Sequence, residues 1–244
     1  GDRLLVDYDS PEAFEEVFWR TFLGDAYIRE NSVISHDVPK AVQARFRQFM
    51  RHVLLSGNGQ TRYLAKNNND LLRLAGIRAA QPDALLLIPF RDPLQQARSL
   101  QGQHAKFCDK HAQDRFAMQY MNWLGHFEFG LGHKQYIYSA AANPHDPAGV
   151  DYWLFCWREA YEYALANAPD GAIFVGYEAL CEQPLAGFTQ LLPLLGLDSD
   201  PAVAADFYAG ADTKEAPDCD GDLLAACRAT HDKLAALHLQ PVGE

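Results

Sequence analysis

Residues 63–99 read YLAKNNNDLLRLAGIRAAQPDALLLIPFRDPLQQARS, and this stretch decides the fold. It opens with a short apolar run that ends at Lys66 and continues with a helical pattern over 71–80. A turn at 81–83 then leads into the apolar run 84–90, the clearest buried strand of the chain. Two strands joined by a short helix are typical of a parallel α/β unit, because parallel strands need a crossover connection. We therefore predict an α/β fold, helix-rich, with a parallel sheet flanked by helices and ligands at the carboxyl ends of the strands.

A strand-to-helix corner follows the second apolar run. Asp92 suits the N-cap of a new helix and Pro93 suits its first position, since aspartate accepts backbone hydrogen bonds there and proline has a helical φ. Arg91 lies at the corner, where a guanidinium and free helix amides converge on an oxyanion. Ser99, about two turns further along, adds a hydroxyl. The alternative is that Arg91 pairs with Asp92 and that Ser99 is an ordinary helix serine.

Three segments carry a resemblance to a known family, in the family's order along the chain. RDP (91–93) with Ser99 resembles the 3′-phosphate-binding segment of sulfotransferases that use 3′-phosphoadenosine 5′-phosphosulfate (PAPS). KNN (66–68) resembles the lysine-containing segment on the preceding strand of bacterial members. VGYEAL (175–180), followed by Pro184 and LLGL (194–197), resembles the YExL…P…LGL segment of the same family. The resemblance covers the chain from about residue 9 onward.

The resemblance implies a P-loop-NTPase-like sulfotransferase fold that forms a single domain over residues 1–244. Such an enzyme transfers a sulfuryl group from PAPS, its co-substrate, to a hydroxyl or amine acceptor, and it requires no metal. By resemblance, Arg91 and Ser99 hold the 3′-phosphate, Tyr177 contacts the adenine, and Lys66 supplies charge near the transferring group. The alternative for Tyr177 is a core tyrosine.

Three residues are candidates for the base that removes a proton from the acceptor. Glu15 and Glu16 lie on a predicted helix, and the resemblance allows one of that helix's carboxylates this role. His36 lies in a loop, and its ordinary pKa suits proton transfer near neutral pH. Alternatively, the glutamates are solvated and favour the helix N-terminus.

One segment of the family is missing. The glycine-containing loop of the type P-x-S-G-T-[ST], which binds the 5′-phosphosulfate after the first strand, is not found before Lys66. Because Gly1 is not a natural start residue, we expect this chain to be the C-terminal portion of a longer protein. The missing loop also leaves an alternative open, a non-catalytic nucleotide-binding or interaction module of the same fold.

A second alternative is a zinc-dependent hydrolase. His104, Cys108 and His111 are spaced four and seven residues apart, so they share one face of a continuous helix. Imidazole and thiolate groups are ordinary zinc ligands. No fourth ligand has diagnostic spacing, so this function ranks below the others.

Composition limits the partners. The chain has 244 residues and a net charge of −11, which argues against nucleic acid and anionic membranes as partners. Its five cysteines form no Cys-x-x-Cys pair, which favours free thiols in a reducing, cytoplasmic location. No apolar run approaches the roughly 20 residues that span a bilayer. We expect a small-molecule, glycan or lipid acceptor.

The remaining pattern predicts helices around a second strand. We expect a helix that opens at Ser10 and Pro11, an irregular connection over 125–150, and a strand over 172–176. Gly196 is expected to end a helix in the left-handed conformation. The other predicted helices cover about 41–55, 116–127, 153–165, 185–195 and 222–238.

Overall fold

The computed structural model describes residues 15–57, 59, 61–139, 142–208 and 218–243. These residues form a helix-rich α/β structure, as the sequence predicts. The strands are β1 (Ser32–Ile34), β2 (Leu87–Phe90), β3 (Gln135–Ile137) and β4 (Ile173–Gly176). The α-helices are α1 (Glu15–Leu23), α2 (Lys40–Ser56), α3 (Leu74–Ala80), α4 (Pro93–Gln113), α5 (Arg115–Leu124), α6 (Val150–Asn167), α7 (Tyr177–Glu182), α8 (Pro184–Leu194), α9 (Pro201–Ala205) and α10 (Gly221–Ala236). The predicted helix start at Ser10 and Pro11 lies outside the described residues.

The chain divides into two compact units. Unit 1 contains residues 1–83 and 102–143, and unit 2 contains residues 84–101 and 144–244. Helix α4 begins in unit 2 and ends in unit 1. The expectation of a single domain stays a prediction.

Unit 1 packs aromatic residues between α1 and α2. The rings of Phe18 and Trp19 on α1 lie 5.3 Å and 4.4 Å, centroid to centroid, from the ring of Phe46 on α2. All three side chains are buried. Burying a large apolar side chain contributes about 1.5–3 kcal/mol, so this cluster holds α1 against α2.

The predicted strand that ends at Lys66 is absent. Residues 61–67 have no ladder partner among the described residues, and a 3₁₀ helix over Asn68–Arg73 follows them directly. The reason is the composition of the run, in which only Tyr63 and Leu64 are large apolar residues. Leu64 is 86% exposed, so the run has no buried face with which to join a sheet. The helix predicted over 71–80 is divided between this 3₁₀ helix and α3.

The region 125–150 is more regular than its composition indicates. It contains β3, which pairs in parallel with β1, and Val33 lies opposite Tyr136. Both strands have three residues, which is too short for an alternating apolar pattern to be recognised. Val33 is buried in a cluster with Tyr27, Leu72 and Phe127.

Unit 2 is built on the parallel pair of β2 and β4. Ile88 lies opposite Phe174, and Phe90 lies opposite Gly176. Strand β4 is completely buried, whereas β2 alternates between exposed and buried residues. The prediction of a continuous buried strand over 84–90 is therefore wrong in extent, because Leu85 and Leu87 are 49% and 41% exposed.

The helix ends follow the predicted capping rules. Asp92 accepts a hydrogen bond from the amide of Gln95 at 2.8 Å, and Pro93 is the first residue of α4. Gly196, just after α8, has a φ of 60°, which is the left-handed conformation predicted for it. Both predictions are confirmed.

Candidate functional site

The candidate site of unit 2 lies at the carboxyl ends of β2 and β4. Because Phe90 and Gly176 are register partners in a parallel pair, the residues that follow them, Arg91 and Tyr177, leave the same edge of the sheet. They are 86 positions apart in the sequence. The sheet thus brings together two of the three segments that resemble the sulfotransferase motifs.

Arg91 is held by two neighbours from the second segment. Its Cζ lies 4.8 Å from the centre of the Tyr177 ring, which is a cation–π distance. Its Nε lies 3.5 Å from Oε1 of Glu178, longer than a well-formed hydrogen bond. The two charged side chains are 27% and 30% exposed. Neither Nη group of Arg91 donates a hydrogen bond to a residue that the structure describes.

Glu178 also holds the start of the neighbouring helix. Its Oε1 accepts a hydrogen bond from the amide of Asp92 at 3.0 Å. Glu178 thus anchors the backbone at the start of α4. The alternative pairing of Arg91 with Asp92 is not found, since the carboxylate of Asp92 caps α4 instead.

Tyr177 and Ser99 complete the predicted binding residues of this unit. Tyr177 is half-buried, and its ring lies 6.4 Å from that of Tyr208. A hydrogen bond with Cys181, together with burial, raises the pKa of Tyr177, so its hydroxyl keeps its proton. Ser99 is half-buried on α4, six positions after Pro93.

Three residues that the sequence analysis missed form hydrogen bonds with β2, α4 and β4 next to this edge. Tyr161 on α6 donates a hydrogen bond to the carbonyl of Pro89 in β2 at 2.9 Å. Trp157, one turn earlier, donates to Oε1 of Gln96 on α4 at 3.1 Å. His238 accepts a hydrogen bond from the amide of Gly176 at 2.9 Å. No short sequence motif predicts contacts between residues this far apart in the chain.

Unit 1 holds the predicted base Glu16 in a buried ion pair. Both oxygens of Glu16 lie 3.0 Å from nitrogens of Arg73, which is 1% exposed. Tyr27 and Asn67 also donate hydrogen bonds to Glu16. A carboxylate that accepts four hydrogen bonds is fixed in place, which is the arrangement of a structural ion pair.

Glu15 is similarly engaged. Its Oε1 accepts a hydrogen bond from Trp19 Nε1 at 3.0 Å, and its Oε2 accepts one from the Tyr63 hydroxyl at 2.7 Å. The side chain is 2% exposed, so Glu15 is not the solvated helix residue of the alternative prediction. Glu16, at 5%, is not solvated either.

His36 differs from the two glutamates because one of its ring nitrogens is unoccupied. Its Nδ1 lies 3.0 Å from the carbonyl of Ile34, which only accepts, so Nδ1 carries the hydrogen. Nε2 is buried and has no hydrogen-bond partner among the residues that the structure describes. The ring stacks on Tyr27 at 4.5 Å, and burial lowers the pKa of His36, which favours the neutral base.

Lys66 is exposed and contacts no described carboxylate. A hydrogen bond with Glu128 raises the pKa of His126, and the charge of Lys66 has a smaller, lowering effect on the same pKa. Lys66 belongs to unit 1 and Arg91 to unit 2. The predicted roles of both residues stay predictions.

Arg73 is the buried charge that the sequence analysis overlooked. Its guanidinium lies between the rings of Trp19 and Tyr27, with Cζ 4.9 Å and 5.1 Å from their centres. It interrupts the apolar run LLRLAGI (71–77) at a position flanked by leucines. A charge within such a run was the available sign that it is buried and paired.

Two of the three residues of the predicted zinc site contact groups outside it. His104 and His111 lie on α4, and their Nδ1 atoms accept hydrogen bonds from the amides of Gly130 and Leu131 at 3.3 Å and 3.2 Å. Cys108 lies 3.5 Å from His104 Nε2. In the described part of the chain, no group of three or more histidine, cysteine or acidic residues could hold a metal ion.

Comparison with protein-family models, with curated proteins and with solved structures finds no match for this chain. Among the described residues, no helix is both long and apolar enough to cross a membrane.

Proposed function

We propose that this protein is a PAPS-dependent sulfotransferase, with a P-loop-NTPase-like sulfotransferase fold, that transfers a sulfuryl group to a hydroxyl or amine acceptor. The observation that carries the proposal is the meeting of Arg91 with Tyr177 and Glu178 at the carboxyl ends of two parallel strands. Ligands of parallel α/β sheets bind at this edge. The resemblance assigns the same two segments to the nucleotide.

The Nη groups of Arg91 support its assignment to the 3′-phosphate. A guanidinium binds a phosphate through two parallel N–H donors, and Arg91 has such donors unoccupied by described residues. Tyr177 presents a half-buried ring beside it, which suits stacking on a purine. Ser99 is the predicted second contact of the phosphate.

In the proposed reaction, an acceptor oxygen or nitrogen attacks the sulfur of PAPS. The bond from sulfur to the acceptor forms as the bond from sulfur to the bridging phosphate oxygen breaks, and 3′-phosphoadenosine 5′-phosphate leaves. Negative charge grows on that oxygen and a fixed cation stabilises it there, the role for which the resemblance names Lys66. The acceptor's proton passes to a base, for which Glu15, Glu16 and His36 are the predicted candidates. Of these, His36 has a ring nitrogen, Nε2, without a hydrogen-bond partner among the described residues.

The test is binding of 3′-phosphoadenosine 5′-phosphate, measured by titration calorimetry. We expect Arg91→Ala to weaken binding at least tenfold, about 1.4 kcal/mol, because the fork that holds the 3′-phosphate is lost. Adenosine 5′-phosphate, which lacks the 3′-phosphate, should bind both proteins equally. Arg228→Ala, an exposed arginine on α10, is the matched control. Unchanged affinity of Arg91→Ala would exclude Arg91 from the site.

The absent glycine loop favours a second candidate, a nucleotide-binding module that catalyses nothing. The two functions share the Arg91 site and differ in transfer. A donor-labelling assay against a panel of phenols, sugars and lipids distinguishes them, because the module binds the nucleotide and leaves every acceptor unlabelled. The assay uses the complete protein together with any sequence that precedes residue 1.

A further inference from the structure

Positive charge is concentrated in one stretch of unit 1. Residues 38–69 contain six of the 21 lysines and arginines of the chain and none of its 32 aspartates and glutamates. The other residues therefore carry 15 basic and 32 acidic side chains, so the net charge of −11 conceals a basic segment. This segment begins just before α2 and ends in the 3₁₀ helix over Asn68–Arg73, and all of it belongs to unit 1.

The run that follows α2 presents alternate side chains to solvent. Arg62, Leu64 and Lys66 are exposed, whereas the residues at 63, 65 and 67 are half-buried. This alternation is that of an extended chain, in which successive side chains point to opposite sides. The ring of Tyr63 lies 6.4 Å from the ring of Phe49 on α2, so the inner side of the run packs along that helix.

The end of α2 has the same combination of charge and exposed apolar surface. Arg51 is exposed, and Leu55, one turn later, is 81% exposed. Leu64, two residues after Arg62, is 86% exposed. We call Arg51, Leu55, Arg62, Leu64 and Lys66 the basic apolar face. Two leucines lie almost wholly in water there, each close in the sequence to an arginine.

The cations of the basic apolar face are not neutralised by the described part of the protein. Arg51, Arg62 and Lys66 form no ion pair with a described carboxylate. Two other arginines of α2 contact unit 1 itself, since Arg47 donates to a backbone carbonyl at 3.1 Å and Arg45 lies over an aromatic ring at 5.1 Å. The three cations of the face are thus available to an external anion.

We propose that the basic apolar face docks unit 1 on an anionic lipid surface. Lysine and arginine attract the negatively charged headgroups of such a surface, and apolar side chains next to them enter the boundary between headgroups and acyl chains. The two exposed leucines favour lipid over nucleic acid. Single-stranded nucleic acid binds through stacking on aromatic rings, and Tyr63, the single Phe, Tyr or Trp of residues 51–66, is half-buried.

The acidic excess of the whole chain does not cancel this attraction. At physiological ionic strength, exposed charges more than about 8 Å apart are largely screened from one another. A membrane in contact with the face therefore interacts mainly with the local cations. Such docking requires no helix that crosses the bilayer, because only side chains enter its surface. It is also independent of sulfuryl transfer, since vesicle binding is measured without PAPS.

The first test uses the wild type. Its sedimentation with vesicles of phosphatidylcholine is compared with its sedimentation with vesicles that contain about one-third phosphatidylserine, an anionic lipid. We expect binding to the anionic vesicles alone, and we expect it to weaken as salt is added, because salt screens the cations. Equal binding to both kinds of vesicle, or binding to neither, would overturn the proposal.

The second test separates the contribution of charge from that of apolar contact. Arg51→Gln with Arg62→Gln should weaken vesicle binding about fivefold per residue, or roughly thirtyfold together. Leu55→Ser with Leu64→Ser should weaken it by about tenfold or more, because less apolar surface leaves water. Lys66 is left unchanged, since it has a predicted role at the transferring group.

Matched controls come from unit 2. Arg228→Gln on α10 and Leu185→Ser on α8 change an exposed arginine and an exposed leucine outside the face, and both variants should bind vesicles like the wild type. Arg91→Ala should do so as well, which keeps this test separate from that of nucleotide binding.

Single-stranded RNA is the competing polyanion. If the wild type bound RNA more tightly than anionic vesicles, and if the leucine substitutions changed neither affinity, the basic apolar face would be a nucleic-acid surface and the proposal would be wrong. Vesicle binding that depends on both leucines and both arginines would support it.

Discussion

Two arginines in the two units of this protein are held in opposite ways. Arg73 in unit 1 is 1% exposed, makes a two-contact pair with Glu16 and lies between two aromatic rings. Arg91 in unit 2 also lies over an aromatic ring, yet it has one long contact with Glu178 and is 27% exposed. Both Nη groups of Arg73 donate to one carboxylate, whereas neither Nη group of Arg91 donates to a residue that the structure describes.

Removing Arg73 should have the largest effect. Arg73→Met leaves Glu16 buried without its counter-charge, and breaking a buried pair costs about 3–5 kcal/mol of the free energy of unfolding. Urea denaturation measures the loss, and Arg51→Met, on the exposed face of α2, is the matched control. A loss below about 1 kcal/mol would remove the contrast between the two arginines.

The donors around Glu15 should matter next. Tyr63→Phe deletes the hydroxyl that donates to Glu15 at 2.7 Å, and a hydrogen bond to a charged group contributes about 1.5–3 kcal/mol. The same denaturation experiment measures it. Tyr120→Phe, on an exposed tyrosine of α5, should change nothing. If both variants lost the same free energy, the hydrogen bond would not be the cause.

The cap of α4 at Asp92 should make a smaller contribution to stability. Asp92→Ala removes the cap of α4 and should cost about 1 kcal/mol of stability. Asp92→Ser, which retains a capping oxygen, should recover most of the loss. Calorimetric melting of the three proteins tests this, and a serine variant no more stable than the alanine variant would contradict it.

Glu178 should have the smallest effect, and it acts on affinity. Glu178→Gln keeps an oxygen for the amide of Asp92 but removes the charge that competes for Arg91. A half-exposed pair contributes up to about 1 kcal/mol, so binding of 3′-phosphoadenosine 5′-phosphate should tighten about threefold. Unchanged or weaker binding would indicate that Glu178 does not compete with the nucleotide for Arg91.

The sequence was most informative where local chemistry acts within a few residues. Asp92 and Pro93 predicted the start of α4, and Gly196 predicted a left-handed residue after α8, because capping needs only near neighbours. The parallel α/β architecture was also predicted correctly, although β2 pairs with β4 and not with the expected strand before Lys66. Strand pairing depends on partners far away in the sequence, which local periodicity does not contain.

The residues of the candidate site also differ in how far the sequence predicts them. Arg91, Tyr177 and Glu178 were recognisable because each follows a strand that the apolar pattern predicts. Arg73 was missed, since its importance comes from Glu16, 57 positions earlier. The alternative prediction, that Glu15 and Glu16 face solvent, is wrong because both side chains are buried acceptors, and the predicted catalytic role stays a prediction.

The hydrogen bond from Tyr161 to the carbonyl of Pro89 has a consequence for how this protein meets other copies of itself. The carbonyl of Leu86 faces β4, so the alternation along a strand turns Pro89 toward the opposite margin of β2. There, Pro89 has no N–H to donate, and its carbonyl oxygen already accepts a hydrogen bond from the Tyr161 hydroxyl. An incoming strand finds neither donor nor acceptor at that position, which protects the sheet against edge-to-edge aggregation.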